Sequence, residues 1–292
     1  MKFILLNITL ALFMSFILIS CSELKDDVSG QSNELSYHGP GILNPSAPDF
    51  HGNLIKNNHW SMQPCKQCHA ANYTGGIAKV SCRTCHTGEN GPESCNTCHG
   101  NFNDPSRIAP PRGVNGDTSN SYRGVGAHPN HLYVNALGNR VRCGSCHNFP
   151  QSVYAPGHLD SDLPAEVNLK GLSIFSGAAN ASYDPNTLTC ANTYCHGNFE
   201  FSKDTAVVEN QFAYIEDKIV GNKASVVWNS SLDGSQIQCG SCHGLPPVGH
   251  LQVPVNQCAA CHGEVVDENL NIIDKTKHIN GEINVRTNKN KD

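Results

Sequence analysis

The sequence predicts a mostly irregular chain, with short helices and a few short strands packed around groups other than its own side chains. Three observations predict it. The chain has 292 residues, and only 38% are apolar. It carries 26 Gly and 16 Pro, which favour turns over long periodic elements. It also carries fifteen cysteines and fifteen histidines, far more of both than a chain of this length needs for packing. Such a composition buries little conventional core, so the interior calls for another apolar filler.

The first element is an export signal. In MKFILLNITLALFMSFILISCSELK, Lys2 is a short basic start, and Phe3 to Ile19 is mostly apolar. Its end, Leu18-Ile19-Ser20-Cys21, resembles the lipobox of bacterial lipoproteins, in which the signal is cut before the cysteine and the sulfur is lipidated. An uncleaved anchor, or an ordinary signal with a chance cysteine, is the plainer reading. Cys21 is the one cysteine outside a pair, which favours lipidation at Cys21. Ser22 favours release to an outer membrane, by analogy with lipoprotein sorting. This divides the chain into a signal peptide (1–20), a polar flexible tether (21–37), and the folded remainder.

The other fourteen cysteines form seven pairs. Six read Cys-x-x-Cys-His: Cys65-Cys68-His69, Cys82-Cys85-His86, Cys95-Cys98-His99, Cys143-Cys146-His147, Cys239-Cys242-His243 and Cys258-Cys261-His262. The seventh, Cys190-Ala-Asn-Thr-Tyr-Cys195-His196, has a longer gap, whose extra residues are expected to loop out. Cys-x-x-Cys-His is the attachment signature of c-type haem. Two thiols add to the two vinyl groups on one porphyrin edge, and the adjoining histidine ligates the iron. Zinc ribbons, disulfides and iron–sulfur ligation also use cysteine pairs, but none needs a histidine directly after the second cysteine. Histidine is about 5% of the chain, so seven coincidences have odds on the order of one in a billion. A disulfide between Cys190 and Cys195 stays open as the alternative at the seventh site. The fold class is therefore a multihaem cytochrome c, with seven covalently bound haem c groups expected.

Each iron has a second axial position. Of three methionines, Met1 and Met14 lie in the signal, leaving Met62 just before Cys65. Histidines are plentiful: fifteen minus seven motif histidines leaves eight. The distal candidates are His38, His51, His128, His131, His158, His250 and His278, with His59 as the spare. Bis-histidine ligation implies low-spin iron at comparatively low potential. An internal echo links two candidates. CGSCHNFPQSVYAPGHLD and CGSCHGLPPVGHLQ place Pro150 and Pro246 at one offset and end in Gly-His-Leu, so His158 and His250 are expected to do the same job. His128 and His131 are three apart, and on one helical turn they could serve neighbouring haems.

Along the chain, three motifs cluster in residues 38–112, and the Pro-rich Ile108–Val114 marks a boundary. Four more motifs follow in 113–285, with 286–292 as a polar tail that loosens from Glu282. Short helical turns are expected at the motifs. Strand-like runs are expected at Ala165–Phe175 and Ser225–Trp228.

Taken together, C190ANTYCHG, Trp228 and C239GSCHGLPPVGH resemble the CxxxxCH…CxxCH family of multihaem c-type cytochromes from metal-respiring bacteria. The likeness extends to DFHG, CHAANYTGG, GPESCNTCHG, GVGAHPNHL, PGHLD and HINGEINV, covering roughly residues 38 to 285. It implies an exported electron carrier, often lipid-anchored, in respiration onto extracellular acceptors. It also matches His51, His128, His131, His158, His250 and His278 to recurring histidines, and leaves His59 unmatched.

The expected role is electron transfer rather than catalysis. A multihaem reductase of a small oxyanion, which needs an iron with an open position, is the alternative; a subunit of a conduit complex is another. Net charge is −5, or −6 once Lys2 is removed with the signal, which argues against nucleic acid. Expected partners are other cytochromes or redox proteins, the membrane through the lipid, and an outer-membrane porin or extracellular metal acceptors. The expected location is the outer membrane or cell surface rather than the inner membrane, and otherwise the periplasm.

Overall fold

A computed structural model describes residues 37–286, apart from 105, 109–111, 135–136, 177, 179 and 231–233. The signal peptide, lipidation at Cys21, nearly all of the tether, the tail beyond Arg286 and the prolines of the 108–114 boundary lie outside the described residues. The chain divides into two compact units, one ending at Trp60 and one beginning at Ser61.

In the first unit, turns at 39–47 lead into helix α1 (His51–Asn57). Asp49 holds the turn by accepting from the Gly41 amide at 2.9 Å.

In the second unit, five of the six tight motifs form short helical turns, as their spacing predicts, while Cys239–His243 forms only turns and bends. Helices α2 (Lys66–His69), α3 (Cys95–Cys98) and α4 (Cys258–His262) are motif turns, and 3₁₀ turns cover Cys82–Thr84 and Cys143–Ser145. Two cysteines three residues apart lie on one side of a helical turn, which is the geometry two thiols need to reach one edge of a flat ring. Among the described residues no helix is long and apolar enough to cross a membrane.

Two small antiparallel sheets fall between the fourth and sixth motifs. The first has the order β1 (Ser182–Asp184), β2 (Thr189–Ala191), β5 (Val226–Val227). The second pairs β3 (Glu200–Ser202) with β4 (Lys218–Val220). The strand expected near 225–228 is β5, but the one expected over Ala165–Phe175 is not formed. Its later part is a 3₁₀ turn, Gly171–Ile174. Its amides are used elsewhere: Asn168 N–H donates to Cys146 O at 2.7 Å and Lys170 N–H to Ser145 O at 2.9 Å. The apolar run therefore lies along a motif turn instead of entering a sheet. The segment from Glu282 is not loose either, because Arg286 N–H donates to Cys261 O at 2.7 Å.

Few side chains are buried. Met62, Tyr73, Val125, Tyr194, Tyr214, Ile219, Val226 and Val265 are the larger apolar ones among the described residues. Tyr73 donates from its hydroxyl to Glu93 at 2.6 Å, and Lys66 meets the same carboxylate at 3.0 Å. This polar knot ties the first motif to the turn before the third.

Candidate haem-attachment and ligand sites

The described cysteines are all free thiols, including Cys190 and Cys195. In the tight motifs at Cys82 and Cys143 the turn closes within the motif itself. His86 N–H donates to Cys82 O and His147 N–H to Cys143 O, both at 2.9 Å.

The stretched motif is built differently, and its extra residues do not loop out. Cys190 sits in β2, the middle strand of its sheet, opposite Tyr183 on one side and Val226 on the other. Ala191 continues the strand opposite Ser182. Asn192 then turns the chain at φ 55°, a left-handed conformation that asparagine tolerates better than most residues. The 3₁₀ turn Tyr194–His196 follows, with His196 N–H donating to Thr193 O at 3.1 Å. The second half thus reproduces the Cys-His turn, and the sheet presents the other thiol. Burial pushes the Cys190 and Cys195 thiols up to about 11, with Cys146 nearby adding to the effect.

The imidazoles meet in pairs, and each pair joins one motif histidine to one candidate distal histidine. Ring centroids are 6.5 Å apart for His99–His158, 6.2 Å for His147–His128 and 6.2 Å for His196–His131. They are 6.4 Å apart for His243–His278 and 6.3 Å for His262–His250. A metal–imidazole bond is about 2.0 Å and the ring centre lies about 1.1 Å behind the nitrogen, so two imidazoles across one metal stand about 6.2 Å apart. A direct N–H···N bond of about 2.9 Å would bring the centres to roughly 5.1 Å. Ordinary aromatic contacts span a wider range, about 4.5–7 Å. Five pairs within 6.2–6.5 Å, each of one motif and one non-motif histidine, fit ligation of one metal per pair.

Backbone carbonyls fix the tautomer. The Nδ1 atoms of His99, His147 and His262 lie 2.6, 2.7 and 2.7 Å from the carbonyls of Ile108, Glu166 and Asn284. His243 reaches Gly244 O at 2.8 Å. On the distal side, His128, His131, His158, His250 and His278 reach Val125, Ala127, Val153, Leu251 and Leu137 at 2.5–2.9 Å. A carbonyl only accepts, so Nδ1 carries the proton and Nε2 keeps its lone pair. Among the ten paired rings His196 is the exception, its Nδ1 buried with no partner among the described residues. Burial lowers His99 and His278, and takes His128 and His196 down to about 4, so all four stay neutral near pH 7.

Among the described residues no three or more His, Cys, Asp or Glu side chains converge as a bare metal ion would require. Imidazoles that meet only two at a time suit a metal whose remaining positions are filled in a plane, as in a porphyrin. The residues therefore fit haem.

The internal echo is resolved in an unexpected way. His158 and His250 each lie against a motif histidine, but neither against the motif it follows. His158 reaches back to His99, and His250 reaches forward to His262. His69 is held by Val80 O at 3.0 Å and His86 packs edge-on to Phe102. In the first unit, His51 shows the ligand signature, its Nδ1 2.8 Å from Ile42 O. His38 is exposed and lies edge-on to Tyr37. His59 is exposed. Sequence reasoning missed the carbonyls that orient the rings, because every residue has one and no side chain marks them.

A family model described as the Geobacter CxxxxCH...CXXCH motif matches residues 189–243. Neither a curated protein nor a solved structure gives a match. The matched segment begins in β2, one residue before Cys190, and ends on His243, so it spans the stretched motif, β5 and the tight motif that follows. Over residues 189–243 the chain carries the defining pattern of the Geobacter CxxxxCH...CXXCH family of multihaem c-type cytochromes.

Proposed function

We propose that the protein is an exported, lipid-anchored seven-haem c-type cytochrome that carries electrons in respiration to extracellular or metal acceptors. The observation that carries this reading is the set of five imidazole pairs at 6.2–6.5 Å, each joining an attachment motif to a distal histidine. Haem iron supplies the one-electron chemistry; the chain supplies covalent attachment, two imidazoles and spacing. The cysteine pairs from Cys65-Cys68 through Cys258-Cys261 attach the haems, with Cys190-Cys195 among them. The proposed ligand pairs are His99/His158, His147/His128, His196/His131, His243/His278 and His262/His250. His38 and His51 stay distal candidates by count, since seven motif histidines need as many partners. Two firmly held imidazoles would leave an iron bound between them no open position, which favours a carrier over a reductase. Lipidation at Cys21 and an outer-membrane location belong to the same reading, as do basic redox partners for a chain of negative net charge.

A haem-to-protein ratio combined with EPR of the oxidised protein tests it. Seven haems, all low-spin, are expected. A ratio clearly below seven would refute the count, and a strong high-spin ferric signal would favour the reductase. The lipid is checked by the mass of the N-terminal peptide, which should carry acyl chains on Cys21.

A further inference from the structure

Between His128 and His131 stands an aromatic side chain that neither attaches nor ligates anything. Trp228 meets the His128 ring edge-on, with centroids 4.6 Å apart and planes at 90°. It also meets His131, at 5.7 Å and 32°. These two imidazoles belong to different pairs, His128 with His147 and His131 with His196. One indole therefore touches the distal histidines of two sites.

The indole is itself locked. Its Nε1–H donates to Arg123 O at 2.8 Å, and its backbone N–H donates to Leu188 O at 2.7 Å. Its ring lies so close over Gly126 that a Cβ there would overlap the indole nitrogen, and Gly126 adopts φ 45°. The residues just before it, Val226 and Val227, form β5 against Cys190 and Thr189 of the stretched motif. The chain thus runs from an attachment cysteine, through a strand pair, to a ring wedged against two distal histidines.

The ligand planes it touches differ. His128 and His147 are 28° from parallel, whereas His131 and His196 are inclined at 69°. A carbonyl bond to Nδ1 orients each distal ring from one side. The indole meets the same rings from another side, so each plane is held between a carbonyl and an aromatic wall.

We propose that Trp228 is a positioning residue that sets the orientations of two distal imidazoles, and so tunes two neighbouring haems together. This rests on the ligand reading above. The relative plane of two axial imidazoles governs the ligand-field anisotropy of low-spin ferric iron, and therefore its EPR g values. Near-parallel planes give a rhombic signal and steeply inclined planes a large principal g value.

The test is EPR and potentiometric titration of the intact holoprotein carrying W228L or W228F. His128→Ala and His131→Ala variants first identify the two signals, because each should lose one low-spin signal. The expected result is that W228L shifts those two signals and both midpoint potentials, with the haem ratio still seven and the other signals unmoved. W228F, which keeps a ring but loses the bond to Arg123 O, should give smaller shifts of the same two signals. Unmoved signals in W228L would overturn the proposal, as would equal shifts in every signal. Should W228L lose haem, W228F decides: selective shifts support a positioning role, and unchanged spectra reduce Trp228 to packing. Fewer than seven low-spin haems in the wild type would instead strike the ligand reading itself.

Discussion

The tight motif at Cys143–His147 and the stretched one at Cys190–His196 set a cysteine beside a histidine by different means. The tight motif closes its own turn, His147 N–H on Cys143 O, although Asn168 and Lys170 also bond to it. The stretched motif needs help, because Cys190 lies in β2 and is positioned by β1 and β5. What the two share is only the turn that sets a cysteine beside a histidine. The difference teaches that the first thiol can come from any element that brings it within reach. It also makes the stretched site dependent on residues far along the chain, such as Val226 and Trp228.

The comparison breaks most sharply at the cysteines. Replacing Cys190 or Cys195 by Ala should weaken or abolish attachment of one haem, as Cys143→Ala should at its own site; haem ratio checks both. Equal ratios in wild type and both stretched-site variants would leave that motif without a haem. Next in size is loss of a distal ligand. His131→Ala should leave the haem count unchanged and convert one low-spin iron to high-spin, whereas His59→Ala should leave the EPR spectrum as it was.

A smaller effect separates the sheet from the chemistry. Val226→Pro removes a ladder amide and unseats β5 from Cys190, so haem yield should fall at the stretched site while the tight sites keep theirs. Peptide mapping of the haem-bearing fragments reads this directly. The converse variant deletes Asn192 and Thr193 to make a tight motif. It should keep its haem but pull Cys190 out of β2, lowering Tm by about 4–8 °C for a loss of roughly 2 kcal/mol. Smallest is Lys66→Met, which removes a partly buried ion pair with Glu93 and should cost about 1 kcal/mol or less in a denaturant titration.

Much of the site was legible because haem attachment is local. Cys-x-x-Cys-His is contiguous, so the tight motifs and their turns could be read residue by residue. The five non-motif histidines that meet motif histidines were all among the candidates reached by counting. Which histidine serves which motif was not legible. His158 lies eleven residues after His147 yet pairs with His99, because the partner is chosen by three-dimensional proximity. The strands were misjudged for a related reason. AEVNLKGLSIF has strand-like composition, but its amides bond to the Cys143 motif, while the short runs SYD and TCA form the sheet. Three-residue strands carry too little pattern to be seen before their partners are known.

The account turns on whether the stretched motif is a haem site. The most direct measurement is the mass of the proteolytic peptide containing Cys190 and Cys195, isolated from the mature protein under denaturing conditions. The structure and the family pattern predict that this peptide carries one haem through two thioether bonds, with no free thiol left to alkylate. A peptide recovered with two free thiols, or with a disulfide between them, would contradict it.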